Sequence, residues 1–486
     1  MHREPFPGRN SFFKVEREQM ESIKKIFSEK YVVWFAAIVC IFQMVLSVVH
    51  YFLPVKNLYS LDYTLIFVAL IAWIIHLVAY RVRPHLGWGF IILAGIFLWY
   101  LISCQIMSDT YYRDWFSFNK DPIIDTLLLI GLVFPMGIYI ARKGYDKLIR
   151  IIIHILIFAW TGFMVYVLIN VFQNKIINTP SGGQIGMSRN IALCLNTHYN
   201  TTGVIELVML IIVLYFIFTS SSRALRIAYI LPCLVHLVTL IMANSRTAFV
   251  AGVIFFSASV FSAVYNAKWE ISLLRRILFG AGAAVITAVI LLLFRELVFS
   301  VHESITHLRE LINGTFVETS SARDLTSMMT MRSRFLIWKS SLHAMVIDAN
   351  RFLFGVTPAS VTSAITEASA GQFENLYTHN QFLEVGVALG VPGMLMFTLF
   401  VILLAKKSFM ISIKQNEGLN AWIVVSIVVT LLIANLSEAT LMFYRFASSY
   451  PFFLFCGWVY SKADLQTEKN KQVFQKKNVR KKGHSA

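Results

Sequence analysis

Long apolar runs separated by short polar segments recur along most of the chain. Each run is close to the roughly 20 residues that a helix needs to cross about 30 Å of hydrocarbon. The pattern predicts an all-α polytopic membrane protein with about twelve transmembrane helices. The predicted spans are residues 31–53, 62–80, 86–107, 122–140, 148–173, 203–219, 227–243, 247–265, 277–299, 382–405, 421–440 and 446–460.

Composition excludes a soluble enzyme. Of the 486 residues, 57% are hydrophobic and only 14% are charged, whereas soluble domains carry about 25% charged residues. Residues 1–30 are polar and basic, and the run 31–53 is too long for the apolar part of a cleavable signal. We therefore expect that run to be a signal anchor.

The distribution of Lys and Arg predicts the orientation. With the N-terminus in the cytoplasm, the segments on that side hold 29 of the 43 basic residues, the excess that the positive-inside rule predicts. Both termini are then cytoplasmic, in the inner membrane. The net charge of +17 fits basic loops facing anionic lipid and calls for no nucleic acid partner.

This topology divides the chain into five parts. The long loop before span ten has apolar residues at helical spacing, so we expect extracytoplasmic amphipathic helices there. The parts are a basic cytoplasmic N-terminus (1–30), spans one to nine (31–299), the extracytoplasmic loop (300–380), spans ten to twelve (381–460) and a basic cytoplasmic tail (461–486).

Several arginines lie on the outer side, where the positive-inside rule predicts few. Arg246 follows Asn244 and Ser245 in a tight turn between two spans, and Arg189, Arg332 and Arg334 lie in the outer loops. A guanidinium forms paired hydrogen bonds with phosphate, so these residues predict an anion site. The alternative for Arg246 is a side chain that only reaches toward lipid headgroups.

A second candidate group begins span ten. His379 and Asn380 stand where the long loop re-enters the membrane, and Glu384 follows inside the apolar run. The positive end of a helix dipole disfavours a further positive charge, so a neutral His379 is a candidate general base. The alternative is a His-Asn pair that only caps the helix. Glu384 is a functional candidate because ionisable groups within spans are costly.

Other side chains are less informative. His76, His154 and His236 are expected to form hydrogen bonds between helices, and Glu206 and Arg445 are possible partners or structural ions. The five cysteines have no pairing or metal-binding spacing. No outer loop carries a carboxylate or histidine pattern that binds metal, so we predict no metal and no other cofactor.

These motifs together resemble the O-antigen ligase and O-antigen polymerase superfamily. The resemblance covers roughly residues 180–400 and rests on the order of short elements. The departures are Ala192 and Thr357, where members of the family often have glycine. The elements are Arg189 with His198-Tyr199-Asn200, Ser245-Arg246-Thr247, Arg334 with Trp338, Leu353-Phe354-Gly355, and His379-Asn380 followed by Leu383, Glu384, Gly386, Gly390 and Gly393.

The resemblance implies a GT-C-like fold and metal-independent transfer of an undecaprenyl-pyrophosphate-linked glycan to a hydroxyl on a glycan or lipid acceptor. Arg189 and Arg246 are then expected to bind the pyrophosphate, with Arg332 or Arg334, and His379 to be the base. Asn200, Asn380 and Glu384 are expected to bind substrate. Ligases and polymerases of this superfamily share these motifs, so the motifs do not distinguish the two activities.

Two readings of a different class also remain. A flippase or transporter usually has an internal repeat, which is not evident here. A membrane-bound O-acyltransferase also needs a histidine but does not call for several outward arginines.

Overall fold

A computed structural model describes most of the chain. The described residues are 28, 31–36, 38–39, 42, 56–79, 87–111, 115–143, 146–173, 175–178, 184–188, 191–193, 199–265, 272–313, 328–373, 376–413, 419–436, 438–443 and 449–483.

Helices make up nearly all of the secondary structure in this part of the chain. They are α1 (Lys56–Ala79), α2 (Gly87–Tyr111), α3 (Trp115–Leu128), α4 (Phe134–Lys143), α5 (Asp146–Phe172), α6 (Tyr199–Thr219), α7 (Arg223–Ala228), α8 (Ile230–Met242), α9 (Arg246–Tyr265), α10 (Leu273–Asn313), α11 (Met328–Val346), α12 (Ala349–Phe354), α13 (Val361–Ala368), α14 (Gln381–Ile413), α15 (Leu419–Ala434) and α16 (Ser449–Gly483). A π-helical turn, Leu129–Val133, joins α3 to α4, and a 3₁₀ helix, Pro358–Ser360, precedes α13.

The prediction of a multi-pass helical membrane protein is confirmed. Six stretches of the described helices are long and apolar enough to cross a membrane: Gly87–Met107, Asn119–Lys143, Ile153–Phe172, Arg223–Met242, Leu273–Leu308 and Gln381–Ile411. Three shorter apolar stretches are Thr64–His76, Thr202–Phe218 and Arg246–Phe261. The total of twelve spans stays a prediction, and the first predicted span is described only at residues 31–36, 38–39 and 42.

Small residues bring the central helices α4 and α16 into close contact. A Cβ on Gly137 would lie 2.0 Å from the Leu454 carbonyl oxygen, and one on Gly457 would lie 2.1 Å from the Phe134 carbonyl oxygen. Lipid provides little hydrophobic driving force between helices, so this backbone approach stabilises the pair through van der Waals packing.

Helix α14 is interrupted at Gly390, where the backbone is left-handed (φ 69°). The segment after α12 crosses it there, and a Cβ on Gly355 would lie 2.4 Å from the Ala388 carbonyl. Thr357 N–H donates to the freed Ala388 oxygen at 2.9 Å, and Trp99 Nε1 donates to the Leu389 oxygen at 2.9 Å. Irregular backbone at membrane depth needs such partners, so this crossing anchors the segment that leads to α13.

One departure from the all-α prediction is a small antiparallel sheet between α5 and α6. Its strands, in spatial order, are β1 (Ile176–Asn178), β2 (Gln184–Ser188) and β3 (Ile191–Leu193). The sheet is attached to the helices through Ile185, which is fully buried in a cluster with Phe249 and Phe299. A meander of three short strands gives too weak a periodic pattern to be seen in the sequence.

The described residues of the segment between spans nine and ten are largely helical. The predicted boundary at residue 300 is not a helix end, because α10 continues to Asn313 and reaches a length of 41 residues. At about 1.5 Å per residue it is roughly 60 Å long, twice the hydrocarbon thickness. The extracytoplasmic position of 300–380 stays a prediction.

Candidate functional site

The turn from α8 into α9 exposes an arginine at a helix N-terminus. Asn244 has a left-handed backbone (φ 53°), a conformation that asparagine adopts more readily than most residues. Ser245 caps α9, because its Oγ accepts a hydrogen bond from the Ala248 N–H at 3.3 Å. Arg246 is therefore the first residue of the helix and is only partly buried. Its guanidinium and the positive helix end together favour an anion.

His379 lies immediately before α14 with a left-handed backbone (φ 50°). This conformation costs a residue other than glycine about 1–3 kcal/mol, so its neighbours must hold it. Asn380 caps the helix, since its Oδ1 accepts from the N–H groups of Phe382 and Leu383 at 3.0 and 3.1 Å. Its Nδ2 donates to the Leu436 carbonyl oxygen at 2.9 Å. Both ends of the amide are engaged, which favours capping over substrate binding for Asn380.

Glu384 supports the backbone on the other side of His379. The hydroxyl of Thr378 lies 2.8 Å from Glu384 Oε2, and the Thr378 N–H donates to the same oxygen at 3.3 Å. Glu384 is 3% exposed, so this carboxyl group positions the residue before the histidine. Burial, and to a lesser extent the charge of Glu384, raise the pKa of Tyr377, which keeps its phenol protonated.

Glu438 connects the histidine to the arginines. Its Oε2 lies 3.3 Å from Nδ1 of His379, and its Oε1 accepts a hydrogen bond from Nη2 of Arg334 at 2.9 Å. Nη1 of Arg334 in turn reaches Oγ1 of Thr247, the second residue of α9, at 3.5 Å. These contacts form a continuous path, His379–Glu438–Arg334–Thr247, which we call the contact chain. It brings His379, Arg334 and the start of α9 into one site.

The segment that carries Glu438 is fixed by the first turn of α14. Gln381 N–H donates to the Asn435 carbonyl oxygen at 2.9 Å, and its side-chain Oε1 accepts from the Leu441 N–H at 2.8 Å. Asn435 Oδ1 accepts from the Thr440 N–H at 2.8 Å. These bonds lie on both sides of Glu438, so the same helix end positions both members of the His379–Glu438 pair.

The structure describes the remaining predicted site residues only in part. Arg189 lies outside the described residues, and the side chains of Arg332 and Asn200 are not among those described, although α11 and α6 are. Asn200 is on the first turn of α6. One turn further on, a Cβ on Gly203 would lie 2.7 Å from the Ser245 Cβ, so the start of α6 packs directly on the arginine turn.

A separate buried network lies about one helical turn beyond Gly203. Thr161 donates its hydroxyl to the Ile157 carbonyl oxygen at 2.6 Å, so it accepts from His236 Nε2 at 3.0 Å. Glu206 Oε2 lies 2.7 Å from His236 Nδ1, and its Oε1 accepts from Trp160 Nε1 at 2.6 Å. Both ring nitrogens of His236 are therefore engaged, one by a hydroxyl and one by a carboxyl group. The network joins α5, α6 and α8.

The other two histidines within spans also bond across helices, as expected. His76 Nε2 lies 3.1 Å from the Tyr139 hydroxyl, and His154 Nδ1 contacts the Tyr229 hydroxyl. Neither lies in the contact chain. Among the described residues, no three His, Cys, Asp or Glu side chains are grouped so as to hold a metal ion.

Sequence reasoning missed Glu438. It lies within 421–440, which the apolar pattern assigned entirely to span eleven, whereas α15 ends at Ala434. The sequence did contain a feature that points to Glu438, because an ionisable residue inside an apolar run is a functional candidate by default. Its pairing with His379, 59 residues away, is set by the tertiary fold and has no local signature.

Comparison with known proteins gives a family match for part of the chain. Residues 231–398 match the family model described as O-Antigen ligase. This segment begins in α8 and ends within α14, so it contains Arg246, Arg334 and His379, while Glu438 lies beyond it. A search of curated proteins gives no match. The match covers residues 231–398 and supports the resemblance of the chain to the O-antigen ligase and O-antigen polymerase superfamily.

Proposed function

We propose that this protein is a ligase-type glycosyltransferase. It moves a glycan from undecaprenyl pyrophosphate to a hydroxyl acceptor on the outer side of the cytoplasmic membrane. The contact chain is the observation that supports this most directly, because it joins a candidate base to a candidate anion site. The family match supports a lipid-linked glycan as substrate.

The Glu438–His379 contact suits a general base. When Nδ1 donates its proton to the carboxylate, the lone pair of the imidazole is on Nε2, which can then accept the acceptor hydroxyl proton. The carboxylate also stabilises the imidazolium that forms. His379 is thus the proposed catalytic residue, and Glu438 is the proposed positioning residue.

The arginines supply the complementary charge. Arg246 and Arg189 bind the pyrophosphate, with Arg332 or Arg334 assisting, and offset the charge that develops on it. Two of the five N–H donors of Arg334 contact Thr247 and Glu438, and the other three can face an anion. No divalent cation is required in this scheme.

The proposed reaction is a displacement at the anomeric carbon of the glycan. The acceptor oxygen forms a bond to that carbon while the bond from the carbon to the pyrophosphate oxygen breaks. The hydroxyl proton moves to His379 Nε2, and undecaprenyl pyrophosphate leaves with the bonding electron pair. All atoms and charges are accounted for without an added oxidant or metal.

The test is a transfer assay with purified protein in nanodiscs. Undecaprenyl-pyrophosphate glycan with a labelled sugar is mixed with a hydroxyl acceptor in excess EDTA. We expect labelled acceptor and free undecaprenyl pyrophosphate at the rate seen without EDTA. Strong inhibition by EDTA that added metal reverses contradicts the arginine-based scheme. Movement of the lipid-linked glycan across liposome membranes, with no transfer to any acceptor, favours the flippase instead.

The same assay separates ligase from polymerase, which the family match leaves open. Donor is supplied without a second acceptor. A polymerase lengthens the glycan on its lipid, whereas a ligase leaves single units until an acceptor is added. We expect no lengthening.

A further inference from the structure

Arg295 is a buried arginine in α10, the helix that carries the highest mean hydropathy among the six candidate spans. An 18-residue segment within the stretch Leu273–Leu308 of this helix has a mean hydropathy of 2.7, and only 6% of that segment is buried inside the protein. Arg295 itself is 4% exposed. A buried charge at the edge of a span is costly, and in membrane proteins it usually marks a function.

The guanidinium of Arg295 contacts both sides of the arginine turn. Its Nη2 donates to Asn244 Oδ1 at 3.4 Å, two residues before Arg246. Its carbon Cζ lies 5.6 Å from the ring centre of Phe249, three residues after Arg246, and 5.4 Å from that of Phe299. Its Nη1 donates to Glu296 Oε1 at 2.7 Å.

These contacts need a guanidinium. A planar, delocalised cation can lie against aromatic rings while its edge donates hydrogen bonds, and a lysine ammonium cannot do both from the same position. Asn244 also needs support, because its left-handed backbone (φ 53°) sets the direction in which the chain enters α9. Arg295 therefore ties α10 to the residues on each side of Arg246.

We propose that Arg295 is a positioning residue for Arg246, and thus for the anion site. Its contacts with Asn244 and Phe249 fix the turn so that the Arg246 guanidinium meets the pyrophosphate without first being ordered. This rests on the proposed function for the role of Arg246, but the effect on the turn itself does not.

The first test measures the turn without any substrate. A nitroxide spin label is attached at Arg246→Cys in a background without other cysteines, with and without Arg295→Met. We expect a more mobile label in the Arg295→Met protein. Arg275→Met is the matched control, because Arg275 is an exposed residue of the same helix, about 30 Å from Arg295. An unchanged spectrum in Arg295→Met overturns the proposal, whether or not the protein transfers glycan.

The second test is a double-mutant cycle in the transfer assay. Arg246→Lys alone should lower kcat/KM by one to two decades, and Arg295→Lys by about tenfold, mainly through the KM of the lipid-linked donor. If Arg295 acts through Arg246, the double variant should be no more than about twofold worse than Arg246→Lys. Fully multiplicative losses, or an unaltered Arg295→Lys enzyme, contradict the proposal.

A third variant covers the case in which Arg295 variants do not accumulate in the membrane. Asn244→Gly keeps a residue that tolerates the left-handed backbone and removes the side chain whose oxygen Arg295 contacts. We expect the same rise in donor KM and the same gain in spin-label mobility. A protein with neither effect overturns the proposal. Absence of transfer by the unaltered protein would instead count against the proposed function.

Discussion

At the residue scale, two side chains of the site could be predicted from the sequence and a third could not. Arg246 and His379 are functional candidates from the sequence alone, because each is an ionisable residue at the end of an apolar run. Glu438 does not stand out in the same way. Its side chain is only 5% exposed and lies between His379 and Arg334, with one carboxylate oxygen in contact with each of them.

Replacing Glu438 by Gln tests whether its carboxylate must contact both His379 and Arg334. A neutral amide has one acceptor and one donor end, so it cannot accept hydrogen bonds from both Arg334 and His379 on separate oxygens. We expect kcat to fall by at least about 10²-fold while KM changes little, because an unpositioned base acts mainly in the transition state. Steady-state transfer rates at matched membrane abundance give both constants.

The matched control is Glu367→Gln, since Glu367 is half-exposed and bonds to Arg351 outside the contact chain. It should retain nearly full activity. A Glu438→Gln enzyme as active as this control shows that Glu438 does not position the base.

The sequence indicated which side chains are candidates for the site, but it did not indicate which of them are in contact. His236 was expected to bond between helices, yet nothing in the spacing of Glu206, Trp160 and Thr161 indicates that all three lie around it. Likewise, both capping and substrate binding were open for Asn380, and the hydrogen bonds from the Phe382 and Leu383 N–H groups, which favour capping, could not be read from the sequence. Such contacts depend on helix packing, which one-dimensional periodicity does not encode.

At the element scale, the anion site depends on how closely two helices approach. Helix α6 meets the start of α9 at Gly203, where a Cβ would lie 2.7 Å from Ser245 Cβ and 2.9 Å from Ala248 Cβ. Ser245 is the cap of α9, so any separation of the two helices moves the residue that precedes Arg246. The sequence predicted both spans, but it gave no reason to single out Gly203.

We therefore expect Gly203→Ala to impair function although alanine is the better helix former. The methyl group must push α6 away from Ser245, and donor KM should rise several-fold with a moderate loss of thermal stability. Gly162→Ala is the control, because a Cβ there meets nothing within 4 Å. Thermal unfolding in detergent and donor titration measure the two effects. Equal behaviour of the two variants would show that the α6–α9 contact is not tight.

The interruption of α14 at Gly390 also lay beyond sequence reasoning. The run 382–405 predicted a continuous span, and the apolar pattern does continue across the interruption. Gly355 and Gly390 approach each other's segments so closely that side chains are excluded on both. Glycines in apolar runs have several uses in membrane helices, so their role became visible only when the crossing segment was placed.

At the scale of the whole molecule, the account requires that the site face away from the cytoplasm. The arginine turn, the start of α6, the end of α5 and the start of α14 all lie at one end of the helical bundle, which carries the contact chain. The positive-inside rule predicts that this end is the outer one. The apolar pattern was sufficient for the fold class, because nearly every predicted run overlaps a described helix.

Cysteine labelling of intact cells or spheroplasts tests the orientation. In a background without native cysteines, Ile312→Cys should react with a membrane-impermeant maleimide, because Ile312 is 72% exposed near the end of α10. Glu468→Cys should react only after permeabilisation, although that side chain is 54% exposed. The reverse pattern would place the site in the cytoplasm and remove the basis of the proposed function.

The central claim is that His379 is the base of a metal-independent glycan transfer. The most direct measurement is the turnover of purified His379→Ala in excess EDTA, with undecaprenyl-pyrophosphate glycan and a saturating acceptor. We predict a fall of about 10²–10⁴-fold relative to the unaltered protein, the usual effect of losing a general base. His76→Ala, whose histidine bonds to Tyr139 outside the contact chain, should keep most of its activity. A His379→Ala protein that turns over at the rate of this control would contradict the account and leave His379 as part of a helix cap.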